Sequence, residues 1–430
     1  MSRLKIYGAV GGAVALVLIW PLAVGKIGQD AIEKLVDNAN SQAVSAKVVS
    51  YDRGYLSSVV KTEFTVKDPA LIQQLKADDI PTSFFVTSDI SHGLYSLTAH
   101  STLDDNAKLP LTMDSTTFLN GDTEYKIDLD KWNVTANKNK EKFTVSTSPS
   151  YLSGSIAISG EATYKLNIPS VEVDFASKEK LLINGFSGEG QGKREGGFWL
   201  GGQTLKLNKA DITDPDGKSM FSLEGAEYKF NSKLDEKDTR IESHNVLSMK
   251  NVKTVDGGDV SDLVLDATLG DIDKKSFSEL MSLFQNNQEL SQADLQKAIP
   301  YVDTLFSKGF YLAIEQFSMN VGKGKFNSDW KFIIPQGTDN VTHNPGVIMS
   351  ALKGHINSYF SNELVKEYPF MKHTVEGAVA NKMVKQSNDG YELKAKIEDG
   401  NLVFEDGQKI PLLSLFLSGM MQQQTHTHSH

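Results

Sequence analysis

Apolar residues recur at two different periods along this chain of 430 residues, and the places where the period changes predict its elements. The first segment has no period at all. From Ile6 to Val24 the sequence reads IYGAVGGAVALVLIWPLAV, 19 residues without a charge. At 1.5 Å per residue such a run crosses a hydrocarbon core of about 30 Å. Trp20 and Pro21 stand near its far edge, where interfacial rings are expected. Arg3 and Lys5 precede the run and Lys26 alone follows closely, so the positive-inside bias predicts a cytoplasmic N-terminus and an exported remainder. The expectation is a retained transmembrane helix, with residues 1–26 as stub and anchor. The rival is a signal peptide cleaved at Ala23-Val24-Gly25, which exports the rest equally.

A helical period follows over Ile27 to Ala43, where Ile27, Ala31, Leu35 and Ala39 share a face, and predicts a juxtamembrane helix within residues 27–46. From Lys47 the period becomes two, as in a strand with one buried face, and it runs as one extended stretch to Phe64. Further strands are predicted over Ser83–Ile90, Leu94–Leu103, Leu111–Leu119, Glu124–Val134, Lys142–Ser148, Gly154–Leu166, Val171–Phe175 and Leu181–Phe186. Turn residues separate many of them, as at Asn120-Gly121-Asp122, Asp214-Pro215-Asp216-Gly217 and Asp256-Gly257-Gly258-Asp259.

Helical spacing returns at Lys274–Phe306, divided by Asn286-Asn287 and Pro300, and at Ile348–Lys385, punctuated by Pro369. Strands are expected after each, at Tyr311–Phe317 and Lys325–Ile334, then at Tyr391–Ile397 and Asn401–Phe404 with an Asp399-Gly400 hairpin turn between the last two. The predicted fold class is therefore α+β: a transmembrane helix, then a mostly antiparallel, extended or curved β-sheet with two helical segments packed on it. The expected divisions are the anchor, the juxtamembrane helix, a β-rich region over 47–270, an α+β region over 271–421 and a flexible tail over 422–430.

Composition narrows the chemistry. With 40% apolar and 9% aromatic residues the chain has the means to build a core. Its formal charge of −10, without a concentrated basic stripe, argues against nucleic acid as a partner. The cysteine count is 0, which removes disulfides, thiol catalysis and cysteine-based metal sites.

Searches for catalytic motifs return nothing. The glycine cluster from Gly185 to Gly202 fails the phosphate-loop pattern, since Lys193 is followed by Arg194 and Ser187 stands where the first glycine belongs; a bulged hairpin or flexible loop is expected there. No Gly-x-Ser-x-Gly elbow and no His-Glu-x-x-His helix occurs. Asp78-Asp79 and Asp104-Asp105 read as solvated turns, because adjacency in sequence does not make carboxylates converge. The expectation is a chain that is not an enzyme and needs no cofactor.

One stretch carries a resemblance. Tyr51-Asp52-Arg53-Gly54-Tyr55-Leu56-Ser57-Ser58 resembles the signature that follows the anchor in YdgA-like bacterial proteins of unknown function, Tyr-x-Arg-Gly and Ser-Ser with aromatic or aliphatic residues between, and His92-Gly93 resembles their His-Gly pair. Leu200–Leu207, Leu247–Val252 and Gly400-Asn401-Leu402 continue the likeness along the chain. The resemblance implies an inner-membrane-anchored envelope protein with no assigned reaction. It singles out Tyr51, Arg53, Gly54, Ser57, Ser58, His92 and Gly93 as motif residues. For His92 the structural reading is a ring hydrogen-bonded to a turn, and for Arg53 a buried guanidinium whose partners lock strand register. His426, His428 and His430 alternate at the C-terminus in a spacing that can chelate a transition metal, although such a tail more often binds metal adventitiously.

Two function classes remain. The first is a periplasmic interaction or scaffolding protein that binds an envelope component by a sheet edge or face, a role a homo-oligomer would also satisfy. The second is lipid handling along an apolar β-groove. They differ in whether the apolar face of the sheet is covered, and the helical regions at 274–306 and 348–385 have enough apolar residues to cover one.

Overall fold

The structure is a computed structural model that describes residues 44–414 apart from 78–80, 108, 139–140, 196, 256 and 287–290. The apolar run over 6–24, the juxtamembrane helix expected over 27–43 and the histidine tail over 422–430 lie outside the described residues. Among the described residues no helix is long and apolar enough to cross a membrane.

Strands dominate, and every described pairing between them is antiparallel. The chain divides into two compact units. The first runs to Gly192 and includes Leu205–Met220, and the second holds Lys193–Thr204 and everything from Phe221 onward. Residue 270, the division expected from the sequence, belongs to the second of these units.

The first unit begins with β1 (Val44–Arg53), three residues earlier than the period suggested. The stretch read as one extended run is a hairpin, turning at Gly54 into β2 (Ser57–Val66). Alternation survives the turn because two strands of a hairpin share one inner face, so periodicity does not register the reversal. Helix α1 (Pro69–Ala77) leads to β3 (Ser83–His92) and β4 (Ser96–Leu103), and a short 3-10 turn over Asp105–Ala107 leads to β5 (Leu111–Phe118). These five strands pair in chain order.

The segment expected as one strand over 124–134 is two, β6 (Thr123–Leu129) and β7 (Trp132–Lys138). They pair with β9 (Ser150–Ile156) and β8 (Glu141–Thr147) respectively, making one long hairpin with a break opposite Pro149, which has no N–H to give a ladder. Strand β10 (Glu161–Phe175) closes this arm by pairing with both β9 and β8. Alternate residues of β2 are buried from Ser58 to Val66, and Val60, Phe64, Val86 and Ile90 form the core with Tyr51 and Phe84 packed against it. The same inner face is unusually rich in hydroxyls. Ser88 bonds Ser101 at 2.8 Å and Thr117 bonds Thr123 at 2.9 Å, while Thr62 Oγ1 is buried without a partner.

The glycine cluster expected as a bulged hairpin or loop lies in two long strands, β11 (Lys180–Glu195) and β12 (Phe198–Thr213), with Gly197 in a left-handed conformation between them. In the second unit, β13 (Ser219–Leu234, of which the part from Phe221 belongs to this unit), β14 (Arg240–Thr254) and β15 (Val260–Asp273) pair in chain order. Helices α2 (Lys274–Asn286) and α3 (Gln292–Lys308) follow, and the chain then returns beside β15 as β16 (Phe310–Val321) and β17 (Gly324–Ile334). Pro300 does not divide the helical region as expected but lies inside α3, which a Ser291–Asp294 capping box begins.

The second helical region is also more broken than its period suggested. Between α4 (Gly346–Ala351) and the pair α5 (Asn362–Glu367) and α6 (Pro369–Ala380) runs β18 (Lys353–Ser361). Ile356 and Phe360 lie four apart, so an i,i+4 pattern mistakes alternate strand residues for a helical face. Short β19 (Lys385–Gln386), then β20 (Gly390–Glu398), β21 (Asn401–Phe404) and β22 (Lys409–Pro411) complete the sheet. Asp399 and Gly400 both have positive φ, as the expected Asp-Gly turn requires.

Candidate functional site

Register brings the two sequence motifs together in the first unit. Ser57 pairs with Ser91 and Ser58 with Ile90, so the turn after β1 and the turn after β3 lie side by side at one edge of the sheet. The His92 amide donates to the Leu56 carbonyl at 2.8 Å, and Ser58 Oγ lies 3.1 Å from His92 Nε2. Ser58 is 1% exposed on the inner face, whereas His92 is half-buried at the rim. A serine beside a histidine invites a nucleophile reading, which needs a third group to orient the imidazole. Among the described residues the ring has no carboxylate partner, and Ser58 faces the core. The pair ties two hairpins together.

The turns themselves have one construction. Gly54 N–H donates to the Ser57 carbonyl at 2.7 Å, and Gly93 N–H donates to the Ser96 carbonyl at 2.9 Å. A Cβ at Gly54 would approach Ser57 O to 2.9 Å, and one at Gly93 would approach Ser96 O to 2.8 Å, which is why both motifs need glycine. Arg53 is exposed at the end of β1, opposite Ser58, so the buried guanidinium expected there is not found and register is set without it. Tyr51 packs on the core and Ser57 is exposed. His426, His428 and His430 lie outside the described residues, and among the described residues no cluster of three metal-ligating side chains occurs.

The second unit holds a different kind of surface, which the sequence motifs did not mark. Its strands have two unlike faces. Tyr228 pairs with Leu247, Leu247 with Leu265, and Leu265 with Phe317. In the same face Ile314 pairs with Trp330, Trp330 with Ile356, and Phe326 with Phe360. Phe317, Phe326 and Phe360 form an edge-to-face and tilted ring series with centroids 5.3 and 5.2 Å apart. The opposite face is polar, with His244 on Asp266 at 2.6 Å, Asn357 donating to Asp329 at 2.9 Å and Lys394 on Glu392 at 3.1 Å. Tyr228, Leu247, Leu265, Phe317, Trp330 and Ile356 are none of them fully buried, and Leu312 is 37% exposed.

Helices cover this unit only in places. Phe277 of α2 meets Phe198 edge-on at 5.5 Å, and Leu364 of α5 sits where a Cβ on Gly324 would be. No residue of α3 is buried. An alternating sequence reveals the apolar face but not its cover, since cover is contributed by elements distant in the chain.

Comparison with known families matches a bacterial protein family of unknown function (DUF945) over residues 4–413. The chain belongs to this family. The coarser part of the resemblance drawn from the motifs, a bacterial family of unknown function, is thereby met. Searches among curated proteins and among solved structures found no match. Membership in DUF945 assigns no reaction, so function rests on the two surfaces just described.

Proposed function

We propose that this DUF945 protein is a non-enzymatic envelope protein, held in the bacterial inner membrane by residues 6–24 with its main body in the periplasm, that takes the acyl chain of a lipid along the apolar face of its second unit. The observation that carries this reading is the partial exposure of Leu247, Leu265, Phe317, Trp330 and their neighbours, across strands that pair without interruption from β13 to β18. A monomeric soluble chain rarely leaves so broad an apolar surface to water without a use for it. Strands of 9 to 16 residues give that surface a length of about 30–50 Å at 3.3 Å per residue, ample for an extended acyl chain. Bulges at Ile241/Ser243 and Ile314/Phe317 bend the strands locally.

The competing interaction or scaffolding reading requires a covered face, and α3, the longest helix among the described residues, buries none of its residues. The test is a photoreactive phenylalanine analogue placed in cells at Leu265, at Phe317 and, on the polar face, at Asn357. Lipid adducts at 265 and 317 but not at 357 are the expected result. Protein adducts alone at 265 and 317 would overturn lipid handling in favour of the interaction reading.

A further inference from the structure

Most large apolar side chains exposed in the first unit stand at one edge of its sheet. Tyr55 and Leu56 occupy the turn between β1 and β2, Leu94 and Tyr95 the turn between β3 and β4, Leu119 the turn between β5 and β6, and Ile158 the turn between β9 and β10. Tyr55 is 95% exposed and Leu94 88%. Pairing makes these four turns neighbours in a row. His92 N–H reaches Leu56 O across the first two, Ser96 pairs with Phe118 between the second and third, and Ile158 N–H donates to Asp122 Oδ1 at 3.0 Å across the last two. With strands about 4.8 Å apart the row extends over roughly 30 Å.

We propose that this rim docks on the interface of a phospholipid bilayer. Three observations converge on that occupant. First, the apolar groups sit on separate turns at the sheet's edge, an arrangement suited to entering a fluid headgroup layer, and they pair tyrosine with leucine as interfacial anchors do. Second, each turn closes its own backbone. The amides of Gly54, Gly93, Gly121 and Gly160 donate to the carbonyls of Ser57, Ser96, Phe118 and Ala157, so these N–H groups enter a poorly hydrated layer already satisfied. Asp122, the carboxylate in the third turn, is likewise held by Asn120 Nδ2 at 2.7 Å as well as by Ile158 N–H.

Third, the chain ahead of β1 can deliver the rim to a bilayer. This step rests on the membrane-anchored reading above. Val44 lies at the opposite end of β1 from the rim, about 33 Å away for ten residues of strand. The 19 residues from Gly25 to Ala43 can reach at most about 65 Å, which leaves enough chain for the rim to turn back to the membrane that holds residues 6–24.

The absence of native cysteine permits a direct test on the full chain. Leu94→Cys, Leu119→Cys and, at the opposite edge of the same strands, Asp105→Cys each carry one environment-sensitive fluorophore. The chains are reconstituted with phosphatidylcholine vesicles bearing nitroxide high on the acyl chain. Loss of emission at 94 and 119, with emission at 105 unchanged, is the expected result. Chain that floats with the vesicles while 94 and 119 stay as bright as 105 overturns the rim and leaves the anchor standing. Chain that does not float overturns both. A blue shift at 94 and 119 that appears before vesicles are added, and is insensitive to nitroxide, places a second copy on the rim and overturns the lipid surface.

Discussion

Replacing Asp273 by alanine should destabilise the second unit by about 2–4 kcal/mol, whereas asparagine should cost only about 1 kcal/mol. Asp273 closes β15 and is 3% exposed. Its Oδ2 accepts the Ser276 amide at 2.9 Å and the Ser276 hydroxyl at 2.7 Å, which caps the start of α2, and its Oδ1 receives Lys308 Nζ at 2.7 Å from the end of α3. Loss of the cap costs about 1 kcal/mol, and leaving the buried Ser276 donors without an acceptor costs about 1–3 kcal/mol more. Lys308 adds little, because its side chain is half exposed and water takes it back. Asparagine retains an acceptor for Ser276, hence the smaller effect.

Protonation makes the same point through pH. Burial pushes the Asp273 carboxyl up, but the hydrogen bonds from Lys308 and Ser276 outweigh it and hold the group below the ordinary carboxylate range. A depressed folded value means stabilisation that is present above the unfolded value of about 3.9 and lost as pH falls through the folded one. The advantage of wild type over Asp273→Asn should therefore shrink in acid and be constant at neutral pH. Urea unfolding of the detergent-solubilised chain, followed by tryptophan fluorescence, measures it. An alanine variant within about 0.5 kcal/mol of wild type, or an asparagine variant as unstable as alanine, would refute the reasoning.

Three other outcomes are expected. Thr62→Val should stabilise the first unit by about 1 kcal/mol in thermal unfolding, because Thr62 Oγ1 is buried without a hydrogen bond; a loss of stability would mean that the hydroxyl has a partner. Gly93→Ala should destabilise by about 1–2 kcal/mol through its approach to Ser96 O, while Gly377→Ala, exposed on α6 with open space around it, should stabilise by about 0.5–1 kcal/mol, so equal effects would refute the turn argument. Burial first, and then the Glu242 carboxylate that its hydroxyl meets at 3.2 Å, push Tyr311 up to about 12; the alkaline difference spectrum between wild type and Tyr311→Phe should hold a step near 12, and a step near 10 would contradict it.

Local chemistry alone carried much of this protein. Alternation of apolar and polar residues revealed β3, β4, β5 and β8 nearly to their ends, and Asp399-Gly400 its hairpin turn, because each depends on residues near in sequence. Reversals within a single period did not show, as at Gly54, and a strand with apolar residues four apart, β18, passed for a helix. What tertiary structure alone decided was adjacency and cover. Lining up Tyr55, Leu94, Leu119 and Ile158 needs strand order, and the partial cover of Leu265 and Phe317 depends on elements distant in the chain. Both are set by packing between segments far apart in the chain, where no local pattern of side chains reports them.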